Sequence, residues 1–227
     1  MSIWAALMAV SPAYSGALVF HDRPSFMLAL AGQSLATDDF EGYAAGNIAA
    51  GTRRGDFVYE FDANSVQAAV ASDGTGGQAL GGAPEDVFVG GDSVRLWFQP
   101  PLAAARLRAF GAEFIYAPSF APIDALSYGI LLEDGPHAGL VAGNEAGLDP
   151  GGGSFFLGLI EDAGSSFSSL SLFSVQTDPQ ILLPAYQVDS LVYASIPEPA
   201  SLATVLLTLL CAWLCRTCRR NRHNAAS

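Results

Sequence analysis

The residues best equipped for chemistry in this 227-residue chain are one tryptophan, two histidines and a large set of carboxylates. Trp97 is the only tryptophan between residues 18 and 196. In Ser93-Val-Arg-Leu-Trp-Phe98, the apolar Val94, Leu96 and Phe98 alternate with Arg95 and Trp97. A strand sends successive side chains to opposite faces, so Trp97 and Arg95 share the face away from Val94, Leu96 and Phe98. If that face is open, the indole can stack on a sugar ring with a guanidinium beside it. If a loop or a helix covers it, Trp97 is core.

Catalytic patterns are scarce. No G-x-S-x-G places a nucleophile on a sharp turn. His21 and His137 are the only histidines between residues 18 and 196, expected on separate loops and without an H-E-x-x-H frame. A solvated loop histidine is the simpler reading of each. Gly74-Thr-Gly-Gly-Gln-Ala79 has the spacing of a dinucleotide loop but no βαβ frame, so it reads as a hairpin connection. Asp62-Ala-Asn64 lacks the glycine and final glutamate of an EF-hand. Cys215-Arg-Thr-Cys218 stands without a second pair. A carboxylate pair of the glycosidase kind can be drawn in many ways, and spacing alone selects none.

The charge balance narrows the partners. There is no lysine, and residues 18–196 hold twenty-one acidic residues against six arginines, a formal charge of −15. Phosphate binding needs clustered Arg or Lys, so nucleic acid is excluded as a partner. Divalent cations and neutral glycans suit such a surface. All three cysteines lie at positions 211–218, so the body before them is built without disulfides.

The elements that must position these residues lie between two apolar ends. Residues 3–10 form an apolar segment followed by Ser-Pro-Ala-Tyr-Ser-Gly-Ala17, which matches the core and small-residue cleavage site of a secretory leader over residues 1–17. Cleavage is expected after Ser15, with Ala13 at −3, or after Ala17, with Ser15 at −3. The positive segment that normally opens a leader is missing, which points to a translation start upstream of the written one. At the other end, residues 200–215 are apolar and uncharged and are followed by Arg216, Arg219, Arg220 and Arg222. Sixteen helical residues span roughly 24 Å, a short crossing of a bilayer core about 30 Å thick. The arginines are expected on the cytoplasmic side and the body outside.

Pro197-Glu198-Pro199, the short apolar helix and the Arg cluster, in this order at residues 196–227, resemble the PEP-CTERM sorting signal. The resemblance implies export by a Gram-negative bacterium, recognition by an exosortase while the precursor is held at the inner membrane, and delivery to the cell surface or to an exopolysaccharide or biofilm matrix. It gives an address and no activity.

Residues 18–195 are expected to form one exported domain. Leu18-Val-Phe20 reads as a first strand. Residues 22–32 read as one short helix, with Asp22 as N-cap, Pro24 in the first turn and Gly32 as the stop. Strands are expected near 36–40, 56–61, 65–71, 93–98, 106–116, 125–133, 154–160, 167–175 and 186–194, with residues 135–153 as a long surface loop. This pattern predicts an all-β fold, a β-sandwich of jelly-roll type with one N-terminal helix, plus the C-terminal transmembrane helix. Asp39-Phe-Glu-Gly42, Phe155-Phe-Leu-Gly158 and Val188-Asp-Ser-Leu191 are similar to segments of many PEP-CTERM ectodomains and of jelly-roll carbohydrate-binding modules. That resemblance implies a structural Ca²⁺ between Glu41 and Asp189; otherwise no cofactor is expected.

Two functional expectations follow. One is a non-catalytic surface or matrix protein that binds glycan or simply builds the envelope. The other is an exported polysaccharide hydrolase, for which two carboxylates about 5–10 Å apart in a concave groove would be the mark.

Overall fold

The computed structural model describes residues 16–60, 67–83, 87–88, 92–100, 105–118, 123–145, 147–174 and 185–197. In chain order the elements are β1 (Leu18–Phe20), α1 (Arg23–Ala29), β2 (Leu35–Asp38), β3 (Gly46–Asn47), β4 (Thr52–Arg54), β5 (Phe57–Glu60) and β6 (Gln67–Ser72). They continue with β7 (Gln78–Ala83), β8 (Ser93–Phe98), β9 (Ala105–Tyr116), β10 (Tyr128–Leu132), β11 (Val141–Gly143), β12 (Gly153–Ile160), β13 (Ser169–Ser174) and β14 (Tyr186–Pro197).

The described residues form an all-β fold, with antiparallel sheets and one helix among them. The first sheet runs β1-β12-β9-β14-β7-β6-β3, with β2 also on β14; the second runs β11-β10-β13-β8-β5-β4. The residues buried between them are the apolar half of each alternation: Val94, Leu96 and Phe98 from β8 meet Phe110, Ala112 and Phe114 from β9 in one cluster. β14 organises the first sheet. One side of it follows β9 from Tyr186 to Pro197, while the other meets β7 at Val188 and then β2 from Leu191 to Ala194. The change of partner coincides with a register shift after Asp189, where Ser190 takes a φ of 47°. Such a bulge re-aims the side chains beside it.

Helix α1 forms as the residues dictate. The Asp22 carboxylate accepts the Ser25 N–H at 2.8 Å, and Pro24 sits in the first turn, where no N–H is needed. Phe26 and Leu30 face inward and pack with Phe156, Ile160 and Val192 on the outer side of the first sheet. Phe26 fits because Gly158 lies under it: a Cβ there would come within 2.5 Å of the Phe26 ring. The second sheet has no such cover from the helix.

The start of β1 and the end of β14 lie at the same end of the first sheet. Leu18 pairs with Ile160, Ile160 with Ala109, and Ala109 with Ala194. These four residues form one row across the first sheet, three strand spacings or about 14 Å wide.

Three short strands, β3, β4 and β11, and the glycine-rich β7 lie where no strand was expected. Residues 135–153 are therefore not one loop: Val141–Gly143 pairs with β10, and Leu148 bridges to Ile123. Among the described residues no helix is long and apolar enough to cross a membrane. The expected span at 200–215 lies outside them, as do Glu198, Pro199, Arg216, Arg219, Arg220 and Arg222. Pro197 is the last residue of β14.

Candidate functional site

The outer face of the second sheet carries the aromatic groups that the core does not absorb. In β8 the buried Val94, Leu96 and Phe98 alternate with half-buried Ser93, Arg95 and Trp97, the division that the sequence predicts. Trp97 pairs with Val58 of β5 on one side and Ser169 of β13 on the other, so it stands in the middle of the sheet. Its indole N–H donates to Glu60 Oε2 at 2.7 Å, which fixes the ring. One step along the ladder, Arg95 pairs with Ser171, and its guanidinium lies 3.5 Å from Glu133. The Ser171 hydroxyl donates to the other oxygen of that carboxylate.

A second half-buried ring completes the row. Phe173 lies two positions beyond Ser171 on the same face, opposite Ser93. It leans over Gly129, where a Cβ would meet the ring at 2.6 Å. Trp97 and Phe173 are separated by roughly 13 Å along the strands, with Arg95, Ser171 and Glu133 between them. Two π faces separated by hydrogen-bonding groups suit a run of sugar rings, which offer C–H faces and hydroxyl edges. Phe173 was missed from the sequence, although the alternation Leu170, Ser171, Leu172, Phe173 already puts it on the Trp97 face.

The outer face of the first sheet holds a different arrangement. An open depression of about 590 Å³ is lined by Glu113, Asp189, Asp73, Thr75, Arg23 and Tyr116, among others. Glu113 and Asp189 are direct register partners on β9 and β14. Burial, added to the charges of Asp73 and Glu113, keeps the Asp189 carboxyl above the usual range despite its bond from Ser190. Asp73 closes the β6–β7 turn, accepting from Thr75 N–H at 2.7 Å, from the Thr75 hydroxyl at 2.7 Å and from Gly77 N–H at 3.0 Å. These bonds lower its carboxyl below the usual range. Gly74 to Gly77 is thus the hairpin connection expected of it.

Compared with known protein families, curated proteins and solved structures, the chain matches none.

Glu41 and Asp189 come to the same region of the molecule by way of that hairpin. Glu41 Oε1 accepts the Gln78 N–H at 2.6 Å, and Asp189 Oδ1 accepts the Ser190 N–H at 2.6 Å. Glu41 Oε1 and Asp73 Oδ2 both crowd Gly77, at 2.6 and 2.8 Å from where its Cβ would be. The donors are all oxygen, which suits a hard cation in kind. Among the described residues, however, no three His, Cys, Asp or Glu side chains are grouped to hold a metal. A cation here would draw these carboxylates off their backbone donors.

The histidines divide. His21 is exposed between β1 and α1. His137 is not the solvated loop residue expected: its Nδ1 lies 2.6 Å from Oε2 of Glu161, whose side chain is fully buried. A carboxylate taken out of water needs a partner, and His137 supplies one.

Proposed function

We propose that the chain is an exported, non-catalytic surface or matrix protein of a Gram-negative bacterium, sorted by its PEP-CTERM signal and binding glycan through the outer face of the second sheet. One observation carries the glycan reading: half-buried Trp97 and Phe173 share the outer face of the second sheet, with Arg95, Ser171 and Glu133 between them. The two sheets, read as a jelly roll, would present that face away from the helix. The placement of the start of β1 and the end of β14 at one end of the sheet supports the sorting reading, since a leader and a C-terminal anchor must reach the same membrane. A structural Ca²⁺ at Glu41 and Asp189 belongs to this proposal, supported by Asp73 lying beside Glu41 and repelling Asp189.

Fractionation of a host that has an exosortase tests the address. The mature body is expected outside the cytoplasm without its arginine tail, and deletion of residues 197–199 should trap it at the inner membrane. Unchanged release of the deletion variant would refute the sorting reading.

A second reading, a polysaccharide hydrolase, is favoured by the Glu113–Asp189 pair in its depression. Directly opposed residues on neighbouring strands have Cβ atoms about 4.5–5.5 Å apart, which keeps the two carboxyl groups within reach of the spacing of about 5–10 Å in glycosidase pairs. Asp189, whose carboxyl burial raises above its usual range, would serve as the acid. Release of reducing sugar from exopolysaccharide, lost in Asp189→Asn and Glu113→Gln, would establish this reading; no release by wild type removes it.

A further inference from the structure

Gly16 donates its backbone N–H to Asp162 Oδ2 at 2.8 Å. The pairing of Leu18 with Ile160 brings them together: Gly16 lies two residues before β1 and Asp162 two residues after β12. Where the ladder stops, the Asp162 side chain takes the place of a backbone acceptor. Nothing lies within 4 Å of the position a Gly16 Cβ would occupy, so there is room around this atom. Gly16 is also the residue that follows the small-residue pair Ala13 and Ser15.

We propose that the leader is removed between Ser15 and Gly16, and that Asp162 is the counter-ion of the α-ammonium group this creates. The inference rests on the export reading. Water adds across the Ser15–Gly16 amide; the departing leader keeps the carboxylate and Gly16 keeps the amine. An α-amino group titrates near about 7.7–8.0, so at neutral pH the amine takes up a proton. The carboxylate that accepts from a neutral backbone N–H in the precursor then faces a full positive charge, so both partners of the bond are ionised. Cleavage after Ala17 would discard Gly16 and leave Asp162 without this donor. The mature fold would thus gain a latch at its first residue that the precursor has only in weaker form.

The experiment is N-terminal sequencing of the full protein recovered from the envelope and medium of its host, with melting curves for Asp162→Asn. Asn keeps the shape and one acceptor oxygen, so it removes the charge alone. The exported protein is expected to begin Gly-Ala-Leu-Val-Phe, and Asp162→Asn should lower its melting temperature by about 2–4 °C. The same substitution in a precursor blocked at both candidate sites by Ser15→Tyr should produce a clearly smaller shift. Exported protein beginning at Leu18, or an equal shift in both forms, overturns the inference and leaves export standing. Protein that stays in the cytoplasm with residues 1–15 attached overturns the export reading, and this inference with it.

Discussion

Trp97 and Glu60 are diagonal neighbours on β8 and β5, joined by a 2.7 Å bond from the indole N–H to Glu60 Oε2. The bond holds the ring on a sheet face that the helix does not cover. Trp97 is thus a fixed, half-buried group, and on the glycan reading its removal should separate binding from folding. In Trp97→Ala, glycan binding should disappear while the melting temperature stays within a few degrees of wild type. A loss of about 3–5 kcal/mol, the cost of emptying a core aromatic site, would show that the ring belongs to the interior.

Gly158 under Phe26 makes the opposite prediction. An alanine Cβ would sit 2.5 Å from the Phe26 ring and 2.9 Å from that of Phe156, and neither ring has a free direction to move. Gly158→Ala should destabilise by about 1–3 kcal/mol and leave glycan binding intact, because the helix and the Trp97 face are on different sheets. Denaturant unfolding measures the first effect; a change under 0.5 kcal/mol, within the ordinary range for surface substitutions, would contradict this packing.

How much of this was legible beforehand depended on the local signal. Strand β8 was readable because Val94, Leu96 and Phe98 alternate with polar and amphipathic residues, and α1 because Asp22, Pro24 and Gly32 punctuate it. Strand β7, Gln-Ala-Leu-Gly-Gly-Ala83, was not: its two glycines favour no strand, and pairing with β6 and β14 holds it in place. The same limit hid the depression. Asp73, Glu113 and Asp189 lie far apart in the chain and converge only through the hairpin and the β9–β14 register. His137 and Glu161 are likewise neighbours only in the fold.

Asp134 gives a pH dependence of known sign. Burial raises its carboxyl, but the Ser168 N–H and hydroxyl, the Ser169 N–H and Arg106 outweigh burial and bring it below its ordinary 3.8. The Arg106 bond, at 2.7 Å, ties β9 of one sheet to the end of β10 in the other. With the folded value depressed, this contribution is complete above the unfolded value and is lost as pH falls through the folded one. Asp134→Asn should cost about 1.5–3 kcal/mol at pH 7, and the gap from wild type should narrow below about pH 4. A gap that is constant from pH 7 to pH 2 would rule out the charged form as its source.

Calcium provides a further measurement. One cation held only by the folded body adds about 2.7 kcal/mol when free Ca²⁺ is 100-fold above Kd. Wild type should then melt higher in millimolar Ca²⁺ than in EDTA, and Glu41→Ala and Asp189→Ala should each remove the difference. A wild type indifferent to Ca²⁺ would eliminate the ion, and a response that survives both substitutions would place it elsewhere.

Glycan-array binding of the exported protein tests the central claim most directly, run with wild type, Trp97→Ala, Phe173→Ala and Asp189→Asn side by side. Wild type should bind a family of extended neutral glycans. Trp97→Ala and Phe173→Ala should lose that signal while remaining folded, and Asp189→Asn, on the other sheet, should retain it. Binding that survives both aromatic substitutions, or that fails only in Asp189→Asn, would contradict the assignment of this face.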